Sequence, residues 1–299
     1  MILVTGSTGF IGQALVNHLV TLGYPVRLLL NPSRSYPALP KSVSVEVAIS
    51  SMNDERNLRA SMKNIDTIFH LIGTEWKGIH AEYEEVDIRA AKMFSKVAKE
   101  MGVRRFIYLS HIGADRASAY SPMRIKALAE AAIRESGVPY TIVRTAVAYG
   151  VNDHFTNTIR DYILSTKRGP LLLPGGDDTL IQPIWVEDLI TALLLCMDDE
   201  TMVNQTIYTG GIENFTFREV VEMVMDVIGK KKRIIQLPAN VLRYIYISRE
   251  QWHPNKTVPM YFWLDYLAED RITALDTLPR EFGLMPTRMS LNMSYLKEN

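Results

Sequence analysis

Nine residues near the N-terminus, Val4-Thr5-Gly6-Ser7-Thr8-Gly9-Phe10-Ile11-Gly12, restrict the fold of this chain more than any other segment. They follow the apolar run Ile2-Leu3-Val4 and lead into an amphipathic stretch, Gln13–Leu22, so the pattern is strand, glycine turn, helix. In such a turn Gly6 permits the tight bend, Gly9 lets a ligand approach the backbone, and Gly12 lets helix and strand pack closely. The helix N-terminus presents unpaired N–H groups and the positive end of the helix dipole, which suits a phosphate or pyrophosphate. Gly6, Thr8, Gly9, Phe10, Ile11 and Gly12 are therefore the candidate phosphate-binding residues.

The rest of the first half repeats that rhythm. Ile2–Thr5, Val26–Leu30, Val43–Val47, Thr67–Leu71, Phe106–Ser110 and Thr141–Arg144 read as strands, with helical patterns at about 10–22, 53–62, 80–101 and 122–136. Strands that alternate with helices and read as continuous apolar runs predict an α/β fold, a Rossmann-type doubly wound parallel sheet covered on both faces. After Gly150 the pattern changes. The segment 151–180 reads as loop-rich, a helix follows at about 187–198, and Thr206–Thr209 reads as a further strand. Thr216-Phe217-Arg218-Glu219 has capping-box form and opens a helix to Ile228, which Gly229 ends. The expected organisation is a dinucleotide-binding domain over 1–150, continued by about 180–210. Residues 151–179 and 211–299 would form a smaller C-terminal lobe for a substrate or a protein partner.

Equal numbers of Lys plus Arg and Asp plus Glu, 33 each, give zero net charge, which argues against bulk nucleic-acid binding. No apolar run is long enough to span a bilayer, and the first strand starts at Met1, so a cytoplasmic location is expected. The single cysteine, Cys196, lies in the apolar run Ala192–Met197 and reads as buried filler. The six histidines show no metal-ligand spacing, and no metal is expected. Lys230–Arg233 reads as a solvated basic run after a helix.

The G-x-x-G-x-x-G spacing resembles the extended and atypical branches of the short-chain dehydrogenase/reductase superfamily. So do His70-Leu71-Ile72-Gly73, Phe106–Ser110, Val143-Arg144 with Tyr149-Gly150, Gln182-Pro183-Ile184 with Val186-Glu187-Asp188, and Tyr208–Gly211. The resemblance covers roughly residues 1–228. The tail Leu267–Leu296 is similar to one atypical subgroup, which includes the nucleotide-binding accessory subunit of mitochondrial complex I and bacterial relatives. It implies a nicotinamide dinucleotide as cofactor, with Leu71, Ile72 and Gly73 along its adenine side. The family's aspartate after strand three is replaced here by Ser50-Ser51, so Ser50 or the backbone would serve adenine instead.

The choice of dinucleotide falls on the end of the second strand. An NAD-specific site places Asp or Glu there for the ribose hydroxyls, yet no acid occurs from Gly23 to Val45. Asn31, Ser33 and Arg34 follow instead, and an arginine fork suits a 2′-phosphate. NADP(H) is expected over NAD(H).

For catalysis, the resemblance implies a serine, a tyrosine and a lysine, with tyrosine four residues before lysine. Ser110 and Lys126 occupy the serine and lysine positions, but Pro122 stands where tyrosine would be, and Tyr120 is the nearest tyrosine. None of the 14 tyrosines has lysine four positions on. Three arrangements are open: Tyr120 swings in, another group such as His111 or Tyr149 acts as acid, or the cofactor is bound without turnover. Pro122 at a helix start, with Ser121 as N-cap, places Tyr120 outside the helix. Lys126, one turn in, remains able to reach a ribose. His111, Arg144, Tyr149, His154 and Trp185 are the candidate substrate contacts. Two functions follow: a dinucleotide-binding sensor, assembly factor or subunit, or an NADP(H)-dependent oxidoreductase or epimerase acting on a small or apolar carbonyl, alcohol or nucleotide-sugar.

Overall fold

The computed structural model describes residues 1–32, 45–74, 82–175, 179–252 and 260–297. Ser33, Arg34, His80, Asp177, Asp178 and His253 lie outside them. The strands β1 (Ile2–Thr5), β2 (Val26–Leu30), β3 (Glu46–Ile49), β4 (Thr67–His70), β5 (Arg105–His111), β6 (Tyr140–Thr145) and the strand Gln205–Thr209 form one seven-stranded sheet. Its order is Gln205–Thr209, β6, β5, β4, β1, β2, β3, and all pairings are parallel. The strand order reverses at β1, which lies between β2 and β4, so a crevice opens at the carboxyl ends of β1 and β4.

The two-residue period of the strands sorts their side chains between two cores. Ile2, Val4, Leu28, Phe69, Ile107 and Val143 face one side and pack on α1 (Phe10–Thr21) and α6 (Val186–Asp198). Leu3, Leu29, Ile68, Phe106, Tyr108 and Ile142 face the other and pack on α2 (Glu55–Ser61), α3 (Ala90–Glu100) and α4 (Ser121–Ser136). Cys196 belongs to the first core, and burial pushes its thiol up to about 12.

The 151–180 segment is more ordered than its loop-like sequence suggests, because it holds α5 (Thr156–Ser165) and the strand Leu171–Pro174. Ile159, Tyr162 and Ile163 form a narrow buried stripe among polar residues, too short to stand out as a period. Asp153, not a standard N-cap neighbour of the helix, accepts backbone N–H bonds from Gly150, Phe155 and Thr156 at 2.6–2.8 Å and fixes the turn. α5 packs with α7 (Phe217–Val227), which carries the expected Thr216/Glu219 capping box. α8 (Ala239–Trp252), α9 (Met260–Tyr266) and α10 (Thr277–Phe282) are the remaining α-helices among the described residues. Phe155, Leu171, Ile181, Phe217, Phe262 and Trp263 share a third core in this lobe. The 260–266 aromatics are thus mostly core. Lys230, Lys231 and Arg233 are exposed. No helix among the described residues is long and apolar enough to cross a membrane.

Candidate dinucleotide site

The glycine turn is built as a ligand cradle. Gly6 adopts φ +71°, and a Cβ there would stand 2.8 Å from the Leu71 backbone, so the turn presses on the end of β4. A Cβ on Gly12 would collide with the Gly6 carbonyl, so Gly12 serves the packing of helix on turn rather than of helix on strand. Gly9 is different. A Cβ there would meet only the Gly6 oxygen, at 3.4 Å, so its bareness leaves room on the ligand side. Gly9 is the N-cap of α1 and no side chain caps that end, leaving the first N–H groups open. Ser7 Oγ is buried without a hydrogen-bond partner.

A cavity of about 450 Å³ lies over this turn. The turn supplies Gly6, Gly9, Phe10, Ile11 and Gly12, β4 leads into Leu71 and Gly73, β5 supplies Leu109 and His111, and α4 supplies Lys126. Thr145–Ala148, His154 and Tyr266 close the remaining sides. Thr8 and Ile72 stay close to the turn without lining the cavity: the Thr8 carbonyl accepts from Gln13 at 2.8 Å, and the Ile72 backbone backs Gly6. Asn31 is exposed beyond β2, also outside the lining.

Strand parity explains which predicted catalytic and substrate residues face the cavity. Leu109 and His111 share one face of β5 with Ile107, whereas Ser110 shares the other with Phe106 and Tyr108. Ser110 Oγ donates to Glu130 Oε1 at 2.6 Å, fully buried and away from the lining. The same parity turns Arg144 away. Its guanidinium grips Glu130 through Nε at 2.9 Å and Nη2 at 2.7 Å, and Arg134 adds a third cation contact at 3.0 Å. The Glu130 carboxylate, by hydrogen bonding, raises the Arg144 pKa further. Ser110 and Arg144 thus share a network around Glu130, and neither lines the cavity.

Tyr120 is the N-cap of α4, one residue earlier than expected, and packs against the lobe core. Tyr149 and Trp185 also leave the cavity; their rings pack at 5.3 Å, next to Tyr295. His111, Lys126 and His154 are the candidates that the fold brings together. Thr145–Ala148 and Leu109 were missed, while Tyr266 ends the aromatic run Met260–Tyr266, whose clustered rings suit an apolar pocket, a partner surface or lobe core. The first lie inside the motif whose two ends, Arg144 and Tyr149, were chosen instead, and continuing the β6 parity one residue would have indicated Thr145.

Behind the cavity wall lies a buried polar relay. Lys126 Nζ stands 3.7 Å from Asp87 Oδ1, both nearly sealed, and 5.7 Å from the centre of the Tyr108 ring. Thr74 Oγ1 donates to Asp87 Oδ2 at 2.6 Å. Asp87 lies on a π-helical segment, Tyr83–Arg89, that precedes α3, and nothing in its sequence neighbourhood of solvated-looking acids singled it out. His70 Nδ1 meets Thr5 Oγ1 at 3.0 Å, and burial, aided by the Lys126 charge, pushes the imidazole down to about 3. Between that value and the ordinary ~6.5, the unfolded chain holds a proton that the folded chain refuses. The resulting stability is full above pH ~6.5 and is lost as pH falls towards 3. Urea unfolding should show a loss of about 2 kcal/mol from this residue between pH 7 and pH 5, absent in His70→Asn. Parallel pH profiles for the two proteins would contradict it. Among the described residues, no group of three His, Cys, Asp or Glu side chains is placed to hold a metal ion.

A family model matches residues 1–276, described as the NmrA-like family. The chain belongs to the NmrA-like family. Within this NAD(P)-binding, atypical short-chain dehydrogenase/reductase group, one relative is NADH dehydrogenase (ubiquinone) 1 alpha subcomplex subunit 9, mitochondrial, of Arabidopsis thaliana. It is 30% identical over 253 residues, covering 83% of this chain and 62% of that protein, so this family member spans under two thirds of it. A photosystem II assembly factor of a Synechocystis species is 22% identical, covering 99% of this chain and 90% of its own. Among solved structures, an NADPH-dependent quinone oxidoreductase of Escherichia coli superposes with a TM-score of 0.76 at 16% identity, covering 99% of both chains. That likeness establishes the shared fold of the NmrA-like chain.

Proposed function

We propose that this NmrA-like protein binds a nicotinamide dinucleotide in the cavity, prefers NADP(H), and does not turn it over by the family's serine–tyrosine–lysine chemistry. Its role is then that of a redox sensor, assembly factor or subunit, in keeping with the names of the Arabidopsis and Synechocystis relatives. One observation carries this reading: Ser110 is fully buried, donates to Glu130 and does not line the cavity. Pro122 in the tyrosine position and Tyr120 at the helix cap agree with it. A cytoplasmic location remains part of the proposal.

The absence of an acid in the described part of the β2 end supports NADP(H), as do Ser33 and Arg34 in the sequence. NADPH should bind at least about tenfold more tightly than NADH, and Arg34→Ala should narrow the gap, since a charge-assisted contact contributes about 1.5–3 kcal/mol. Calorimetric titration of both dinucleotides decides it, and a tenfold preference for NADH would remove the proposal.

The second reading, an NADP(H)-dependent oxidoreductase or epimerase, draws support from Lys126 and His111, which both line the cavity. General acid–base catalysis contributes about 10²–10⁴-fold, so losing the acid is easily detected. Tyr120→Phe should change neither NADPH affinity nor single-turnover NADPH oxidation over a panel of carbonyls. Rapid wild-type oxidation that collapses in Tyr120→Phe would favour the enzyme instead.

A further inference from the structure

In the sequence the basic run Lys230–Arg233 stands alone, yet the fold sets a second pair of cations beside it. The strands Leu171–Pro174 and Ile234–Leu237 pair in parallel, with Ile234 opposite Leu171. The Leu171 N–H donates to the Arg233 carbonyl at 2.8 Å, and Lys232 Nζ donates to the Thr166 carbonyl. The turns leading into the two strands therefore lie side by side. Lys167 and Arg168 join Lys230, Lys231, Lys232 and Arg233 at one end of the lobe. All of these are exposed except Lys232, which is half-buried. Among the described residues, none of them has a carboxylate within ion-pair distance. Gly169 and Gly229 stand in the two turns at φ +92° and +65°, and a Cβ on either would meet nothing within 4 Å, so both turns project from the described chain.

Part of this charge has a local use. α5 ends at Ser165 and α7 at Val227, so both helices direct their carbonyl ends towards these turns. Each helix end carries about half a negative elementary charge, so the two together balance about one cation. Asp226 balances another and is the sole acid among residues 162–170 and 226–233. About four positive charges remain without a use in the fold. They are concentrated at one end of a chain whose net charge is zero.

We propose that this end of the lobe is a docking face for an anionic lipid bilayer surface. Charge complementarity commits it to an anionic partner. Lys167, Lys230, Lys231 and Lys232 outnumber Arg168 and Arg233. Lysines are compact, strongly hydrated point charges, suited to a diffuse field rather than to the bidentate grip that arginine gives a single phosphate. Leu164, near the end of α5 and 47% exposed, adds an apolar contact for the interfacial zone of a bilayer. A nucleic acid is the poorer fit, since residues 163–170 and 226–233 hold no aromatic ring on which a base could stack. None of these residues lines the cavity, so the proposal stands apart from the dinucleotide reading.

Co-sedimentation of the full chain with lipid vesicles tests it, comparing phosphatidylcholine alone with an equal mixture of phosphatidylcholine and phosphatidylglycerol. Binding to the mixed vesicles alone is expected. It should be lost as salt rises from about 0.1 M to about 1 M and the screening length falls from about 10 Å to about 3 Å. One cation near an anionic surface strengthens binding about fivefold, so the double variant Lys230→Gln, Lys231→Gln should bind at least about tenfold more weakly. Leu164→Ser, which removes the apolar contact, should weaken binding about threefold or more. Should a variant fold poorly, the vesicle comparison and the salt dependence of the wild type still decide. Binding to neither vesicle, equal binding to both, or unchanged affinity in either variant would each overturn the proposal. So would tighter binding of a duplex oligonucleotide than of the mixed vesicles.

Discussion

Gly9→Val should abolish dinucleotide binding and leave a folded protein, whereas Gly12→Ala should damage the fold itself. Both positions belong to one turn, but their surroundings differ. The space around Gly9 is bounded within the chain only by the Gly6 oxygen at 3.4 Å, and it opens into the cavity. A valine side chain there occupies the volume where a pyrophosphate approaches the helix N-terminus. The space around Gly12 is filled by the backbone of Gly6 and Ser7, so even a methyl group forces the turn off helix α1. Overpacking of this kind costs about 1–3 kcal/mol, more where backbone must move. Circular dichroism melting together with NADPH titration separates the effects: Gly9→Val keeps its melt and loses affinity, and Gly12→Ala loses stability first. Wild-type affinity in Gly9→Val would remove the turn from the binding site.

The other large effect is expected at Glu130. This carboxylate is fully buried and receives Ser110, both ends of the Arg144 fork and Arg134. Glu130→Ala strands a half-buried guanidinium and a buried hydroxyl, and breaking such a pair costs about 3–5 kcal/mol. Urea unfolding should register that loss, and Glu130→Gln, which keeps acceptors but removes the charge, should lose less. A change below about 1 kcal/mol would mean that the network carries little of the stability.

The sheet and the phosphate turn were legible because each residue there answers to a local rule. Apolar strands alternate with helical stripes, and Gly6 and Gly12 occupy positions that no side chain tolerates. The candidate site was legible only where such rules extend into it. Lys126 and His111 were reachable from motif and spacing. Ser110 and Arg144 fall outside the cavity lining, since a motif names a residue without naming its face, and on a strand the face changes at every step. Tyr266 stood out only as part of its aromatic run, and Asp87 was not legible at all. They meet the cavity or its wall through lobe packing and a π-helical segment, and contacts that far apart in sequence leave no periodic trace. His70 lies within a strand motif, but its burial against the rings of Phe94, Phe106 and Tyr108 appears only in the fold.

The seven-stranded sheet closes with Gln205–Thr209, some sixty residues before Tyr266 and Arg271 enter the chain. During synthesis the glycine turn, β4, β5 and Lys126 therefore leave the ribosome well before the lobe's last wall. Domains commonly fold as they emerge. A nascent chain at that stage carries the glycine turn and Lys126 but not yet the Tyr266 side of the cavity.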